Sequence, residues 1–203
     1  MIKIVLVGQK DFVTMVFAKH AQVAEHRVAL VEPSVFKSVS QLADQFIGHD
    51  VVINLHPNSR GASIVIEAAA QASVPRYLHL SKLGARLNAP TQMLQELFDI
   101  ENTVKASTLN YTIFKPSLLY GPGDPSIKRI VRMIRFLPII PYVATQGMLQ
   151  PLDANDLAHT MLASISNEDS YKKVYEMGGT ERIAIDQFLR LLAEIMGTRR
   201  VLL

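Results

Sequence analysis

Short apolar runs alternate with longer segments of helical periodicity along the first part of the chain. The runs are rich in β-branched and aromatic residues and occupy residues 2–7, 27–31, 51–55, 77–80 and 111–114. Unbroken runs of this length are typical of strands buried on both faces of a parallel sheet. Between them, helical patterns occupy residues 12–23, 35–46, 62–72 and 91–106. The alternation predicts an α/β fold, a doubly wound parallel sheet built from right-handed βαβ units.

The pattern loosens after the turn cluster at residues 120–124. The later predicted elements are a basic amphipathic helix, two further helices and a short strand, at residues 125–137, 154–165, 185–196 and 173–177, respectively. This part is too small to form a second domain with its own core. We therefore expect a single domain, residues 1–203, in which 1–120 form the main core and 121–203 a small truncated C-terminal lobe.

The composition supports a packed domain and excludes some chemistry. Of the 203 residues, 49% are hydrophobic and 19% are charged, which suits a chain that buries a sizeable core. The absence of cysteine excludes disulfides and thiolate-bound metals. No apolar run approaches the roughly 20 residues that span a bilayer, and the N-terminus leads straight into a strand-like run without the features of a signal or transit peptide. We expect a protein that stays where it is made or has already been processed.

Glycine-containing and polar motifs follow the predicted strands in a characteristic order. Gly8 follows the first strand, Ser81 ends the fourth, and Lys115 and Pro116 end the fifth. The full set comprises residues 50–55, 77–81, 112–117, 120–124, 135–138, 150–153 and 156–158. This order and spacing resemble the atypical short-chain dehydrogenase/reductase family. Within it they resemble the alpha subcomplex subunit 9 type of accessory subunit of mitochondrial NADH:ubiquinone oxidoreductase (complex I).

The resemblance covers nearly the whole chain and carries several expectations. It implies a Rossmann-type, NAD(P)-binding fold and partners among the other subunits of a large complex. It also implies a peripheral position on the matrix side of the mitochondrial inner membrane, although a bacterial cytoplasmic relative would carry the same motifs. Members of the family have a longer loop than residues 56–60 provide here, and a fuller substrate lobe. We therefore expect a reduced cover over the cleft.

The turn after the first strand departs from the family's G-x-x-G-x-x-G pattern. The three positions are Gly8, Asp11 and Thr14, so only the first glycine is present. The glycines allow a tight turn and let backbone amides reach a diphosphate at the helix N-terminus. Asp11 places a carboxylate at that position, and like charges about 4 Å apart repel by about 4 kcal/mol at an effective dielectric near 20. We expect Asp11 to cap the helix itself.

The resemblance nevertheless assigns a set of candidate cofactor contacts. If a cofactor is bound, these residues would contact NAD(P)(H). Because two glycines of the turn are replaced, the competing expectation is that the chain binds no cofactor. Glu32, which ends the second strand, suits a ribose 2′-hydroxyl and disfavours a 2′-phosphate, so NAD(H) fits better than NADP(H). By resemblance, however, the complex I relatives bind NADPH. The candidates are Gly8, Asp11, Phe12, Glu32, Leu55, Ser81, Lys115 and Pro116.

The proton-transfer residues of active relatives are replaced. Those enzymes use a Tyr-x-x-x-Lys pair on the helix after the serine-bearing strand, where the tyrosine transfers a proton and the lysine lowers its pKa. Alignment on Leu94, Glu101 and Val104 puts Met93 and Leu97 at these positions, and neither side chain transfers protons. With Ile100 and Val104 they form an apolar stripe, which predicts packing. Ser81 alone remains, as a vestige of the catalytic set.

The predicted helix at 125–137 carries a cluster of basic residues. They are Lys128, Arg129, Arg132 and Arg135. An ordinary solvated helix face is one interpretation. The other is a docking surface for an acidic partner or an anionic membrane. Nucleic acid is disfavoured because the charge is local and no binding module is present.

These observations leave three functional hypotheses, from different classes. The first is a non-catalytic accessory subunit of a large assembly, respiratory complex I. The second is an NAD(P)-dependent oxidoreductase or epimerase in which Ser81, Lys82 or Tyr120 stand in for the missing residues. The third is a dinucleotide-binding module without turnover. No metal site is expected, because His20, His56 and His79 lack ligand spacing and are interpreted as solvated or hydrogen-bonded side chains.

Overall fold

The computed structural model describes residues 1–32, 38–55, 59–137, 139–140, 147–198 and 201–202. Its strands are β1 (Lys3–Val7), β2 (Arg27–Val31), β3 (Val51–Asn54), β4 (Arg76–Leu80), β5 (Tyr111–Pro116), β6 (Leu119–Tyr120), β7 (Ile139–Ile140), β8 (Met148–Leu149), β9 (Leu152–Asp153), β10 (Lys173–Met177), β11 (Ile183–Ala184) and β12 (Val201–Leu202). Its α-helices are α1 (Phe12–Val23), α2 (Val39–Asp44), α3 (Ser59–Gln71), α4 (Gln92–Ala106), α5 (Pro125–Phe136), α6 (Ala154–Ser164) and α7 (Ile185–Ile195).

A six-stranded parallel sheet forms the centre of the main unit. Its strand order is β10-β5-β4-β3-β1-β2, and every neighbouring pair is parallel. This confirms the predicted doubly wound α/β fold. The strand order reverses between β1 and β3, and open sheets of this kind bind ligands at the carboxyl ends of the strands beside such a reversal. The residues that follow β1, β2 and β3 are therefore the candidates for ligand contacts.

The chain divides into two compact units. The core unit comprises Met1–Pro116 and Asn155–Met177, and the second unit comprises Ser117–Ala154 and Gly178–Leu203. The expected organisation into a core of residues 1–120 and a reduced lobe of residues 121–203 stays a prediction. In the core unit β10 is hydrogen-bonded to β5, with Lys173 opposite Thr112 and Met177 opposite Pro116. Ladder hydrogen bonds bind that part of the chain to the sheet.

Most predicted elements form within one or two residues of their expected bounds. The exceptions are α3, which begins at Ser59 and not at residue 62, and α2. The pattern predicts a helix over residues 35–46, but α2 begins at Val39. Its N-terminal cap is Ser38, whose hydroxyl accepts a hydrogen bond from the Gln41 amide at 3.2 Å. Serine is a strong helix start signal at this position. Residues 35–37, where the prediction began, lie outside the described residues.

Apolar side chains from the sheet and from α2, α3 and α4 form the principal cluster of the core unit. It includes Val5, Val52, Tyr77 and Ile113 from four strands. In the second unit, Ile134 of α5 packs in a smaller cluster. Among the helices of the described part of the chain, none has the length and apolar character needed to cross a membrane.

Candidate functional site

The turn between β1 and α1 is closed by its own carboxylate. Asp11 is the N-terminal cap of α1, and its Oδ1 accepts a hydrogen bond from the Thr14 amide at 2.9 Å. The predicted cap therefore forms. Amides at the start of this helix are the groups that bind a diphosphate in Rossmann-type proteins. The carboxylate of Asp11 already satisfies one of them and contributes negative charge beside the others.

Thr14 fills the space where β1 and α1 approach each other. A Cβ added to Gly8 would lie 3.1 Å from Thr14 Oγ1 and 3.5 Å from Leu55 Cβ, so a side chain at residue 8 would force a shift. Thr14 is fully buried, and its hydroxyl has no hydrogen-bond partner within the part of the chain that the structure describes. A family member has glycine at this point, for close helix–strand packing. Thr14 thus alters the packing of α1 on β1, whereas the carboxylate of Asp11 is the group that disfavours a diphosphate at the start of α1.

The candidate contacts for the adenosine half lie together at one edge of the sheet. β1 pairs in register with β2 on one side and with β3 on the other, so the residues that follow these strands are neighbours. They are Gly8, Glu32 and Leu55. Leu55 is buried, whereas Glu32 and Phe12 are half-buried. The structure thus assembles this group, with Asp11, at the strand-order reversal, and its binding of a nucleotide stays a prediction.

A buried ionic cluster lies at the carboxyl ends of β4 and β5. Ser81 Oγ donates a hydrogen bond to Glu101 Oε1 at 2.5 Å, and Lys115 Nζ lies 3.1 Å from Glu101 Oε2. Lys115 Nζ also donates to the Ala85 carbonyl at 2.8 Å. All three charged or hydroxyl-bearing side chains are buried. Because buried charges persist only when paired and hydrogen-bonded, this cluster has a structural role.

Two of the predicted cofactor contacts, Ser81 and Lys115, are bonded within this cluster. The Ser81 hydroxyl has one proton, and it is donated to the buried carboxylate of Glu101. The Lys115 ammonium is bound to that carboxylate and to a backbone carbonyl. Pro116, the last residue of β5, accepts a backbone hydrogen bond from Leu83 at 2.8 Å. These bonds join β4 and β5 to α4 and to the segment between β4 and α4, and cofactor binding by Ser81, Lys115 and Pro116 stays a prediction.

Glu101 belongs to this cluster, although in the sequence it served only as an alignment marker. The sequence nevertheless contains a signal for its role. Leu97, Ile100 and Val104 lie at helical spacing around Glu101, and all four side chains are buried. A carboxylate inside an apolar helix face requires a partner. The sequence could not identify that partner, because Lys115 lies on a strand and contacts α4 only in the folded chain.

The two positions of the missing proton-transfer pair differ in environment. Leu97 is buried in the main cluster, as predicted. Met93, in contrast, is 49% exposed, so the expectation that it packs in the same stripe is wrong. It lies in the first turn of α4, just after the cap Thr91, where the helix is not yet covered. A thioether here supplies neither a proton nor a base.

His79 is fully buried on β4, and neither ring nitrogen has a hydrogen-bond partner among the described residues. The interpretation of this histidine as solvated or hydrogen-bonded is therefore wrong. Its ring stacks on Tyr77 with centroids 6.4 Å apart, and the Tyr77 hydroxyl accepts from Asn54 Nδ2 at 2.9 Å. Burial lowers the pKa of His79 to about 4 and raises the pKa of Tyr77. His79 is therefore neutral at pH 7.

Acid should destabilise the fold through His79. Between pH 6.5 and pH 4 the unfolded chain binds a proton at this residue and the folded chain does not, so stability falls as pH falls. We expect wild type to lose about 3 kcal/mol more than His79→Leu between pH 7 and pH 4, as measured by urea unfolding. An unchanged acid dependence in His79→Leu would contradict the assignment.

The other sequence-identified histidines do not form a site. His20 Nε2 lies 2.8 Å from Asn155 Oδ1, and its ring contacts the His159 ring with centroids 4.3 Å apart. His56 lies outside the described residues. No group of three or more potential metal ligands occurs in the stretches for which the structure gives positions. The loop at 56–58, expected to be short, is likewise outside the described residues.

The predicted basic helix forms in the second unit as α5. Asp124 caps it, accepting hydrogen bonds from the Ser126 amide at 2.8 Å and the Ile127 amide at 3.3 Å. Pro125 occupies the first turn, where its missing amide costs nothing. The basic side chains are all exposed. They are Lys128, Arg129, Arg132 and Arg135.

Two relatives align with most of the chain. The chain is 29% identical over 142 residues to "NADH dehydrogenase [ubiquinone] 1 alpha subcomplex subunit 9, mitochondrial" of Dictyostelium discoideum, covering 70% of the chain and 38% of that protein. It is 28% identical over 137 residues to the protein of the same name in Arabidopsis thaliana, covering 66% of the chain and 33% of that protein. The matched region thus spans about a third of these relatives' length.

Solved structures share the fold at low sequence identity. A dTDP-4-dehydrorhamnose reductase from Clostridium acetobutylicum superposes with a TM-score of 0.85 at 16% identity, covering 99% of this chain and 82% of that one. A UDP-glucose 4-epimerase from Thermotoga maritima superposes with a TM-score of 0.78 at 16% identity, covering 99% and 85%. At this identity the likeness establishes the Rossmann-like fold alone.

A family model described as NAD(P)H-binding matches residues 5–135. This range contains the turn after β1, the strand ends around it and the ionic cluster of Ser81, Glu101 and Lys115. Since the match extends over more than half of its length, the chain belongs to the NAD(P)H-binding family.

Proposed function

We propose that this chain is a non-catalytic accessory subunit of respiratory complex I, NADH:ubiquinone oxidoreductase, in which the fold is kept for its surfaces. The observation that carries the proposal is the chemistry of the catalytic positions. Met93 and Leu97 replace the proton-transfer pair, and Ser81 donates its proton to a buried carboxylate. The two relatives named as complex I subunits support the identity of the assembly.

The location and partners of the chain follow from the same proposal. The relatives' names place them in the mitochondrion. We infer a peripheral position on the matrix side of the inner membrane, in contact with other subunits of the complex. The exposed basic residues of α5 are the proposed docking surface.

Turnover assays test the non-catalytic part of the proposal. The purified chain is incubated with NADH or NADPH and a panel of carbonyl and nucleotide-sugar substrates, because the solved structures with this fold include a reductase and an epimerase. We expect no turnover above the protein-free rate. Turnover that Ser81→Ala abolishes would establish the competing oxidoreductase or epimerase function instead. Because Ser81→Ala removes a bond to Glu101, its folded state is checked by circular dichroism.

Dinucleotide binding should respond to Asp11. Asp11→Gly removes the carboxylate from the helix N-terminus and frees the Thr14 amide, so affinity for NAD(H) should rise. Because Asp11 is exposed and water screens its charge, removing a repulsion of about 1 kcal/mol predicts an increase of about fivefold, measured by calorimetric titration. Asp50→Gly is the control, since Asp50 is also a carboxylate that accepts from a backbone amide, that of Lys3. Tight binding by the wild type, unchanged in Asp11→Gly, would support the binding-module alternative.

A further inference from the structure

The charged residues of α5 are all basic. Between Pro125 and Phe136 the helix has four cations and no acidic residue. The acid that precedes it, Asp124, is buried, and both of its carboxylate oxygens accept amide hydrogen bonds of the first turn. The positive charge of α5 is therefore not offset by any residue of the helix itself.

The opposite face of α5 is already packed. Ile134 is buried together with Leu189 and Ala193 of α7 and with Ile140 of β7. Ile130 and Met133 are half-buried against the same cluster. The apolar stripe of the amphipathic helix thus has its partner within the second unit, and the basic face is the one that remains at the surface.

Exposed apolar side chains lie at the end of α5 and in the residues that follow it along the chain. At 100° per residue, Phe136 projects between the directions of Arg132 and Arg129, and its side chain is 71% exposed. The Arg135 guanidinium lies over the Phe136 ring, 6.0 Å from its centroid. Leu137 and Ile139, which follow, are also exposed. Three large apolar side chains exposed between residues 136 and 139 differ from the singly scattered apolar side chains of an ordinary surface.

We propose that this surface docks the chain on an anionic lipid bilayer. The docking face consists of Lys128, Arg129, Arg132, Arg135, Phe136, Leu137 and Ile139. Phosphate headgroups would pair with the basic side chains, while the phenyl ring and the two aliphatic side chains enter the layer below. An acidic protein surface would complement the charge but would leave the apolar side chains without a matching environment. The inference rests on the proposed function only for the membrane's location.

Vesicle co-sedimentation tests the proposal on the purified full chain. The probes are vesicles of phosphatidylcholine with and without phosphatidylserine. We expect binding to the anionic vesicles only, weakening steeply with salt. Each basic residue near an anionic surface contributes about fivefold to partitioning, so Lys128→Gln with Arg132→Gln should lower it by roughly 25-fold. Failure of the wild type to bind anionic vesicles at low salt would overturn the inference.

Matched variants on α7 test whether vesicle binding depends on the docking face or on other exposed residues of the second unit. Phe136→Ser should lower partitioning severalfold, whereas Ile195→Ser should not, although the two side chains are 71% and 73% exposed. Arg190→Gln removes a basic residue that lies 4.0 Å from Asp186 and should also have little effect. Equal losses in the α5 and α7 variants would contradict the assignment to α5.

Vesicle binding and co-purification together distinguish a failure of lipid docking from a failure of the proposed accessory function. A chain that co-purifies with a large assembly but ignores anionic vesicles overturns lipid docking alone, and the docking face would then be assigned to a protein partner. A chain that binds vesicles through the docking face but belongs to no assembly supports lipid docking and removes the accessory role.

Discussion

Lys115→Met is expected to destabilise the chain by about 3–5 kcal/mol, because it leaves the buried carboxylate of Glu101 without its principal counter-charge. In the wild type the ammonium lies 3.1 Å from Glu101 Oε2 and also donates to the Ala85 carbonyl. A methionine of similar length fills the space but supplies neither charge nor donor. Removing one partner of a buried pair costs far more than the pair itself contributes. Urea unfolding at neutral pH measures the difference.

The chain offers a matched control for this prediction. Lys105 approaches the same oxygen of Glu101, but at 3.8 Å and with its side chain 37% exposed, against 9% for Lys115. Lys105→Met should therefore cost only about 0–1 kcal/mol. Glu101→Leu combined with Lys115→Met should recover much of the stability lost in Lys115→Met, since no unpaired charge remains. Equal effects of Lys105→Met and Lys115→Met would mean that the cluster is not ionic in the folded chain.

Arg76→Met is expected to destabilise the core unit by about 2–4 kcal/mol. The Arg76 side chain is buried at the start of β4, and burial lowers its pKa to about 10, so it remains charged at pH 7. It donates to the Asn110 carbonyl at 2.6 Å, to Thr112 Oγ1 at 2.6 Å, and to Ser170 Oγ at 2.7 Å. Removing it leaves the oxygens of the buried Thr112 and Ser170 hydroxyls without this donor, in addition to the lost packing on the Tyr171 ring.

The segment of the chain that loses stability first distinguishes this role of Arg76 from a general loss of core packing. Arg76 also donates to the Ser164 carbonyl at 3.2 Å, at the end of α6, so it joins that helix and the residues before β10 to the sheet. Amide hydrogen exchange should therefore accelerate first between residues 164 and 177. Arg27→Met, at an exposed residue of β2, should change stability by no more than about 0.5 kcal/mol. Uniform acceleration across the sheet in Arg76→Met would contradict this account.

The doubly wound fold could be predicted from the sequence because the signals that determine its strands and helices are local. Apolar runs such as the one that forms β1, and caps such as Asp11, act within a few residues of chain. The position of β10 could not be predicted in the same way. Its pairing with β5 joins residues about sixty apart, and nothing in either strand specifies that partner.

The site was only partly predictable for the same reason. The replaced glycines and the missing proton-transfer pair follow from motif positions alone. The role of Ser81 and Lys115 does not, because it depends on Glu101 reaching both from α4. His79 shows the converse difficulty. One histidine in a strand is normally solvated or bonded, and only the packing around β4 reveals that neither nitrogen has a partner among the described residues.

Native mass spectrometry of the chain purified gently from its source is the decisive experiment on the accessory role, because it records bound small molecules and co-purifying subunits together. We expect a large stable assembly containing complex I subunits, with no dinucleotide bound to this chain. A free protein that carries stoichiometric NAD(H) or NADP(H) would contradict it. The turn capped by Asp11 would then be a functional binding site, and the chain would have to be reconsidered as an enzyme.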